Sequence, residues 1–376
     1  MLEAVYCHAF NSIRDIGPGN LRLLYRHFNT MEAAWKASQE DLARSGITKI
    51  AIKKILAHRK KFRPEREFAH LTKTGIRTTT IGESTYPSLL RAIYDPPLIL
   101  YWRGSIIGSI AGDNRENSPL AVVGSRKATA YGIRCVKKIV RELACAGIPV
   151  VSGLALGIDT AVHRICLECG GSTYAVLPCG IDSVYPATNR DLAKKIAANG
   201  GLTTEFPPTT VPAAHSFYQR NRLISGLCRG VIIIEAGVAS GTRITARFAL
   251  EQNREIFAVP GDIFSPYSAG PNTLIRNSEA RLVVSAEDIL AELPEYAAKN
   301  VSLESKELNE KRQTLALVNL TEEQRQIAPY LAGLGASIDK LVRLTKLETN
   351  VVLAIISEME LTGIIEKSGN RYHLSD

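Results

Sequence analysis

The sequence has no apolar run that approaches the roughly 18 residues of a membrane-spanning helix, so we expect no integral membrane segment. Its first residues, Met1-Leu2-Glu3, lack the basic and then apolar stretches of a secretory signal. The seven cysteines are odd in number and scattered, which favours reduced thiols. These absences together predict a cytoplasmic protein that does not contact a membrane.

Signatures of bound cofactors and metals are also missing. The glycine-rich loop that begins at Gly124 lacks the second and third glycines of a dinucleotide fingerprint. Cys166-x-x-Cys169 has no paired second motif, so we interpret these residues as helix-packing cysteines rather than zinc ligands. His163 precedes Cys166, but no nearby segment resembles an oxyanion hole. The sequence therefore predicts no metal, no cofactor and no catalytic residue.

Positive charge is present, and it is unevenly distributed. The 376 residues include 46 Lys+Arg and 37 Asp+Glu, a net charge of +9. Residues 49–73 carry +7, residues 120–290 carry +5, and residues 321–376 carry −2. A polyanionic partner would therefore meet the first two segments rather than the last.

The chain divides into four predicted segments. Residues 1–70 read as short helices with tight turns, typical of helix-hairpin-helix or sterile-alpha-motif-like modules or of a plain helical packing domain. Residues 80–290 form the central domain, and the charged stretch 293–319 is interpreted as a linker. Residues 320–376 contain three helix starts and a hairpin, which predict a winged helix.

The central domain alternates buried strands with amphipathic helices, which indicates an α/β fold with a Rossmann-like, doubly wound parallel sheet. Val231–Ile234 is the clearest central strand because it is continuously apolar. Strands are predicted at 120–124, 149–152, 172–177, 230–235 and 255–259, and helices at 130–146, 159–168, 189–199 and 242–252.

Four loops of this domain have the composition of a phosphate-binding surface. Parallel strands place ligands beyond their carboxyl ends, where we expect these loops to converge. They supply glycines for close backbone approach, hydroxyls, arginines that grip phosphate, and aromatic rings that stack on bases. The predicted contact residues are Gly124, Ser125, Arg126, Lys127, Gly153, Phe217, Arg220, Asn221, Arg222, Ser240, Gly241, Thr242 and Thr245.

Three carboxylates near these loops leave other roles open. Asp159 is well placed to cap a helix N-terminus. Glu205 and Glu235 end strands at the same edge, so one of them could act as a general base. Alternatively, the arginines of these loops pair with such carboxylates and stabilise the fold. The segment from Phe217 to Arg222 is expected to lie just before a helix.

The ordered motifs of the central domain resemble the DNA-processing protein A (DprA/Smf) family. The match spans residues 80–290, and the helical N-terminal module and winged helix fit that family's architecture. One departure is Asn277–Ala280, where the family more often has a glycine–alanine ending. The motifs are Val123-Gly124-Ser125-Arg126, Ser152–Asp159, Gly180-Ile181-Asp182-x-x-Tyr185-Pro186, Arg220-Asn221-Arg222-Leu223-Ile224-Ser225, Ser240-Gly241-Thr242-x-x-Thr245-Ala246, Ala258–Gly261 and Gly270-Pro271-Asn272-x-Leu274-Ile275.

The resemblance implies a non-catalytic protein that binds single-stranded DNA, forms homodimers through its Rossmann-like domain and loads the RecA recombinase. This role belongs to natural transformation and related recombination. The resemblance further implies that Arg126, Arg220, Asn221 and Arg222 contact phosphates, with Phe217 as a stacking partner.

Two other classes of function compete with this one. The first is a nucleoside 5'-monophosphate phosphoribohydrolase on a related fold, although Ala236–Thr242 replaces the double-glycine turn of such enzymes. The second is a winged-helix transcription factor with a sensor domain. Against it, the third helix carries Glu358 and Glu360 and no Lys or Arg between Thr349 and Thr362.

Overall fold

The computed structural model describes residues 2–14, 16–107, 118–238, 240–296, 320–331, 336–368 and 371–374. The chain forms two compact units, residues 1–300 and residues 301–376. In the part of the chain that is described, no helix is both long enough and apolar enough to cross a membrane.

The N-terminal segment is helical, as predicted. The tight turn leads into α2, which begins at Pro18 with Gly17 as its N-cap residue, a favourable first position for proline. Buried Phe10 and Leu24 share one hydrophobic core with Ile99 and Tyr101 of the sheet, so this segment packs directly on the central fold. The helices are α1 (Leu2–Asn11), α2 (Pro18–Phe28), α3 (Met31–Lys36), α4 (Gln39–Arg44), α5 (Lys49–Arg59) and α6 (Pro64–Lys73).

Nine strands of the described residues form one sheet in the order β1-β2-β6-β5-β4-β3-β7-β8-β9. Strands β3 to β9 pair in parallel, whereas β1 and β2 add an antiparallel edge that the sequence reading did not predict. The strands are β1 (Arg77–Thr80), β2 (Ile99–Gly104), β3 (Leu120–Val123), β4 (Val150–Ser152), β5 (Thr173–Val176), β6 (Gly201–Thr204), β7 (Gly230–Ile233), β8 (Glu255–Ala258) and β9 (Arg281–Leu282).

The helices between these strands confirm the doubly wound α/β prediction. One local prediction was wrong: Phe217–Arg222 lies inside α11 rather than before a helix. The remaining helices of this unit are α7 (Ser88–Arg91), α8 (Ala130–Cys145), α9 (Ile158–Glu168), α10 (Arg190–Asn199), α11 (Ala214–Gly226), α12 (Gly241–Glu251), α13 (Ala269–Arg276) and α14 (Ala286–Ala291), with short 3-10 helices at Ala187–Asn189 and Pro294–Tyr296.

The predicted linker differs from the structure at its start. Leu293 and Tyr296 are buried, and the Tyr296 hydroxyl donates to the Ser118 carbonyl at 2.7 Å, so these residues belong to the folded unit. Residues 297–319, the rest of the predicted linker, lie outside the described residues.

The C-terminal unit is a winged helix, as predicted. The side chain of Thr321 accepts from the Gln324 backbone N–H, while the Gln324 side chain accepts from the Thr321 N–H, which is the expected capping box. Buried Ile327, Leu341 and Ile356 belong to a core of its own. Its elements are α15 (Glu322–Leu331), α16 (Ile338–Thr345), α17 (Thr349–Leu361), β10 (Ile365–Ser368) and β11 (Arg371–Leu374).

Candidate nucleic-acid interface

The sheet reverses its strand order between β3 and β7. From β3 the chain proceeds outward through β4, β5 and β6, and it then returns to place β7 on the other side of β3. Diverging connections leave a crevice beyond the carboxyl ends of two such strands, where open α/β sheets bind their ligands. The topology therefore locates a candidate site at the ends of Val123 and Ile233.

A crevice of about 470 Å³ lies there, and we call it the switch-point crevice. Its other walls include Ala155, Asp159, Tyr218 and Ile244. Nine of the thirteen predicted contact residues line it: Gly124, Arg126, Phe217, Arg220, Asn221, Ser240, Gly241, Thr242 and Thr245.

The loop after β3 brings Arg126 to the mouth of the crevice. A side chain at Gly124 would approach Ile158 to 2.7 Å, so glycine lets this loop lie against the start of α9. The Ser125 hydroxyl accepts from the Lys127 N–H at 3.0 Å and so stabilises the turn. Ser125 and Lys127 are not among the crevice-lining residues, whereas Arg126 lines it and is exposed.

Arg126 and Phe217 form one composite surface. The Arg126 Cζ atom lies 4.9 Å from the centre of the Phe217 ring, within the range of a cation–π contact. The Tyr185 ring holds Phe217 from the side, with ring centres 5.5 Å apart and planes at 77°. The pair thus offers an exposed guanidinium and an aromatic ring at the same point.

Arg220 supplies a second positive charge at the buried end of the crevice. Its Nη1 atom donates to the carbonyl oxygens of Gly153 and Val176 at 2.6 and 2.5 Å. Burial lowers the pKa of Arg220 to about 10, so the guanidinium remains protonated at neutral pH. A Cβ atom at Gly153 would lie 2.6 Å from the Arg220 Nη1 atom. Gly153 is therefore required by the position of Arg220, although it does not itself line the crevice.

Asp159 lies beside Arg220 in the wall of the crevice. Burial raises the pKa of this carboxyl, and the Arg220 guanidinium opposes the shift. The expectation that Asp159 caps α9 was wrong, because Gly157 is the N-cap residue. Asp159 lies in the first turn and accepts from the Ala155 N–H at 3.3 Å.

The N-terminus of α12 forms the opposite wall. The Ser240 hydroxyl accepts from the Thr242 N–H at 3.2 Å, and no acidic residue lies in the first helical turn. The Asn221 side chain donates to the Gly241 carbonyl at 3.3 Å and joins this wall to α11. The positive end of the helix dipole therefore faces the crevice, where it favours an anion.

Arg222 occupies a different environment. Its guanidinium is buried, pairs with Glu205, and lies 3.3 Å from a carboxylate oxygen of Asp95. It also donates to the Asp95 carbonyl at 2.6 Å. Arg222 does not line the switch-point crevice, so the structure favours its structural alternative.

Glu235 also has a structural environment. It accepts from the Thr129 N–H at 3.0 Å and from the Thr129 hydroxyl, next to the start of α8. A Cβ atom at Gly132 would lie 2.2 Å from a Glu235 carboxylate oxygen, so this contact needs glycine at that position. Both strand-end carboxylates therefore have hydrogen-bond partners, Glu205 with Arg222 and Glu235 with Thr129.

His163 and Cys166 are buried on α9, away from the crevice walls. The His163 Nδ1 atom lies 2.8 Å from the Thr173 hydroxyl, and burial lowers the pKa of His163 to about 3. Burial raises the pKa of Cys166 to about 12, which opposes thiolate formation. Within the described ranges, no group of three or more His, Cys, Asp or Glu side chains could hold a metal ion.

Tyr218 lines the crevice but was not among the predicted contact residues. Residues 217, 220, 221 and 224 all line it, with the 3-4-7 spacing of one helical face. That spacing is visible in the sequence and would have revealed both the helix and its functional face.

Two family models match the chain. The family described as DNA recombination-mediator protein A matches residues 77–294, and the DprA winged helix domain matches residues 311–370. Among curated proteins, Protein Smf of Synechocystis is 33% identical over 98% of this chain and 98% of its own length. The DNA processing protein DprA of Bacillus subtilis is 42% identical over 61% of this chain and 75% of its own.

Solved structures agree with the sequence comparisons. DNA processing protein A of Streptococcus pneumoniae superimposes with a TM-score of 0.64 and 32% identity, covering 77% of this chain and 96% of that one. DNA processing protein A of Helicobacter pylori, whose structure concerns its single-stranded DNA binding mode, gives a TM-score of 0.52 and 29% identity, covering 58% and 95%. The fold, the winged helix and the end-to-end similarity to Smf show that this chain belongs to the DprA/Smf family of DNA-processing proteins.

Proposed function

We propose that this protein binds single-stranded DNA in the switch-point crevice and acts in DNA processing as a recombination mediator. The observation that carries the proposal is the pairing of Arg126 with Phe217 at the crevice mouth, 4.9 Å apart. Single-strand binding proteins combine a positively charged groove with aromatic rings on which bases stack. The Helicobacter pylori relative, which has a single-stranded DNA binding mode, supports the same assignment.

The walls of the crevice suit a nucleotide of an unpaired strand. The α12 N-terminus and the Arg220 guanidinium attract phosphate, while the Phe217 ring offers a stacking surface for a base. A base in a duplex is already stacked on both faces, so it would have to leave the helix to reach this ring. The proposed contact set is Gly124, Arg126, Phe217, Arg220, Asn221, Ser240, Gly241, Thr242 and Thr245, and Arg222 is removed from it.

The proposal is tested by competition between two forms of one oligonucleotide. A fluorescent single strand is bound to the protein and displaced either by the unlabelled strand or by its duplex, at fixed salt. We expect displacement by the single strand at much lower concentration. Equal displacement by the duplex would contradict a crevice selective for unpaired nucleotides.

The non-catalytic part of the proposal rests on the carboxylates. Glu205 bonds to Arg222 and Glu235 bonds to Thr129, so both side chains have structural partners where a phosphoribohydrolase would need a free base. Incubation with AMP should release no adenine above the level of a Glu235→Gln variant. Release that depends on Glu235 would establish the enzyme alternative instead.

From the family resemblance we also propose that the protein forms homodimers and loads RecA, and that it does so in the cytoplasm. Light scattering tests the dimer, since the expected mass is twice the 41.0 kDa of one chain. Recombinase loading is tested with RecA and single-stranded DNA coated by a single-strand binding protein. The protein should shorten the lag before RecA hydrolyses ATP, and an unchanged lag would contradict the loading role.

A further inference from the structure

A second cavity lies on the other side of α11, between that helix, the start of α2 and α12. Its volume is about 520 Å³. We call it the α2 groove, and the residues that bear on its chemistry are Pro18, Gly19, Arg22, Tyr218, Gln219 and Phe248. None of these six residues is in the contact set proposed above, and that set includes no residue of the N-terminal helices.

Tyr218 is shared by the α2 groove and the switch-point crevice, because it lines both cavities. Tyr218 is 42% exposed, although its hydroxyl accepts a hydrogen bond from Arg247. The ring of Phe248 meets it edge-on, with centres 5.2 Å apart and planes at 67°. The rings of Tyr218 and Phe248 therefore lie next to the switch-point crevice as well as in the α2 groove.

Positive groups border these rings. Arg22 lies with its Cζ atom 5.0 Å from the centre of the Tyr94 ring, and it also donates to the Tyr94 carbonyl. The Arg247 guanidinium lies 5.6 Å from the centre of the Phe248 ring. The α2 N-terminus contributes a positive dipole end at Pro18, and a Cβ atom added at Gly19 would meet no atom within 4 Å.

Two carboxylates near the groove are held by arginines. Asp95, which lines the groove, lies 3.3 Å from the Nε atom of Arg222. Glu251 lies 3.4 Å from the Nε atom of Arg247. Because Arg222 is itself buried against Glu205, the positive side chain of the groove that can meet a phosphate is mainly Arg22, which is half-buried.

We propose that the α2 groove is a second nucleotide subsite, which binds the part of a single strand that continues from the switch-point crevice past Tyr218. A base stacks on the Tyr218–Phe248 surface, and Arg22 contacts the adjoining phosphate. The helical N-terminal segment thereby lengthens the DNA site of the sheet. This inference rests on the proposed function, since it extends the same path of bound DNA.

The test compares oligothymidylates of about four and about twelve nucleotides, which bracket part of the usual range of single-strand site sizes. Dissociation constants are measured for the full-length wild-type protein and for Arg22→Gln, Phe248→Leu and Arg26→Gln. Arg26 is an exposed arginine on the same helix that does not line the groove, so its variant is the matched control. Melting temperatures establish that each variant is folded.

We expect Arg22→Gln and Phe248→Leu each to weaken binding of the long oligonucleotide at least fivefold and to leave binding of the short one unchanged. The control Arg26→Gln should bind both oligonucleotides with wild-type affinity. Wild-type affinity for the long oligonucleotide in both groove variants would overturn the subsite and leave the crevice assignment intact. Failure of the wild-type protein to bind either length would overturn both proposals.

Discussion

The guanidinium of Arg126 lies over the face of Phe217, 4.9 Å from the ring centre, at the mouth of the crevice between β3 and β7. One residue comes from the loop after β3 and the other from α11, so the fold, rather than sequence proximity, creates the pair. Its two groups match the two parts of a nucleotide, because a guanidinium binds phosphate and an aromatic ring stacks on a base.

Replacement of the Phe217 ring should weaken DNA binding without regard to base sequence. We expect Phe217→Ala to lose about 1–3 kcal/mol of binding free energy, roughly fivefold to 150-fold in affinity, because every base has a stacking face. Phe217→Trp should retain most of it. Fluorescence anisotropy with thymine and adenine oligonucleotides measures the effect.

The matched control for this prediction is Phe264→Ala. Phe264 is 89% exposed on the loop after β8 and does not line the switch-point crevice. An equal loss of affinity in both variants, or none in Phe217→Ala, would remove Phe217 from the DNA site.

Arg222 should contribute to the stability of the fold. In Arg222→Ala the buried Glu205 carboxylate loses its partner, and breaking such a pair costs about 3–5 kcal/mol. The double change Arg222→Met and Glu205→Gln should recover much of this loss, since the buried charge of Glu205 is removed and only the partly exposed Asp95 carboxylate loses its partner. Urea unfolding measures the free energy of unfolding of each variant.

The same variants separate stability from DNA contact. Folded Arg222→Ala should bind an oligonucleotide of about four nucleotides with wild-type affinity, because Arg222 does not line the crevice. A variant with unchanged unfolding free energy and weakened binding of this short strand would instead restore Arg222 to the contact set.

Acid should destabilise the protein through two buried histidines. Burial lowers the pKa of His8 to about 4 and that of His163 to about 3, from the ordinary histidine pKa of 6.5. At a pH between the folded and the unfolded pKa, the unfolded chain binds protons that the folded chain does not. The contribution of the two histidines to the free energy of unfolding is therefore fully present above about pH 6.5 and decreases as the pH falls. Each histidine should remove about 1.4 kcal/mol of unfolding free energy per pH unit near pH 5.

His163→Asn is the variant that tests this assignment. The Thr173 hydroxyl lies 3.1 Å from the Val150 carbonyl, to which it donates, so its oxygen accepts from the Nδ1–H of His163, and an asparagine amide can replace that donor. Urea unfolding at pH 7, 6 and 5 should show a shallower decrease of stability in the variant. Identical slopes in the variant and the wild type would show that His163 is not one of the titrating groups.

The winged helix should be dispensable for DNA affinity. Its unit has its own core, and its third helix, α17, exposes Glu358 and Glu360, which repel phosphate. A chain truncated after Asn319 should bind single-stranded DNA within a few-fold of the full-length protein. A loss of tenfold, about 1.4 kcal/mol, would show that the module contributes to the DNA site.

The sequence predicted the parallel strands β3, β4, β5, β7 and β8, but not β9, because buried strands such as Gly230–Ile233 are continuously apolar and alternate with amphipathic helices. It did not predict β1, because Arg77–Thr80 has no apolar residue and gains its place only by pairing with Ile99–Trp102 of β2. Tertiary context thus determined that edge of the fold.

For the candidate site, the motifs identified most of the crevice but not the direction of each side chain. Arg220 and Arg222 are two residues apart, yet they point to opposite sides of α11, one into the crevice and the other to Glu205. Once the segment is known to be helical, this separation follows from about 100° of rotation per residue. The sequence analysis expected the helix to begin after Arg222, and it therefore predicted that both arginines contact phosphate.

The central claim, that a single strand lies in the switch-point crevice, is tested most directly by the salt dependence of DNA binding in Arg126→Ala. Dissociation constants for one single-stranded oligonucleotide are measured over a series of salt concentrations for the wild type, for Arg126→Ala and for Arg141→Ala, in which the replaced arginine is exposed on α8 and does not line the crevice. Removal of one phosphate contact should weaken binding roughly tenfold to a hundredfold and reduce the slope of the log–log plot by about 0.7, with an unchanged melting temperature and a normal Arg141→Ala control. If Arg126→Ala keeps the wild-type affinity and slope while its melting temperature falls, Arg126 is a structural residue and the crevice is not the DNA site.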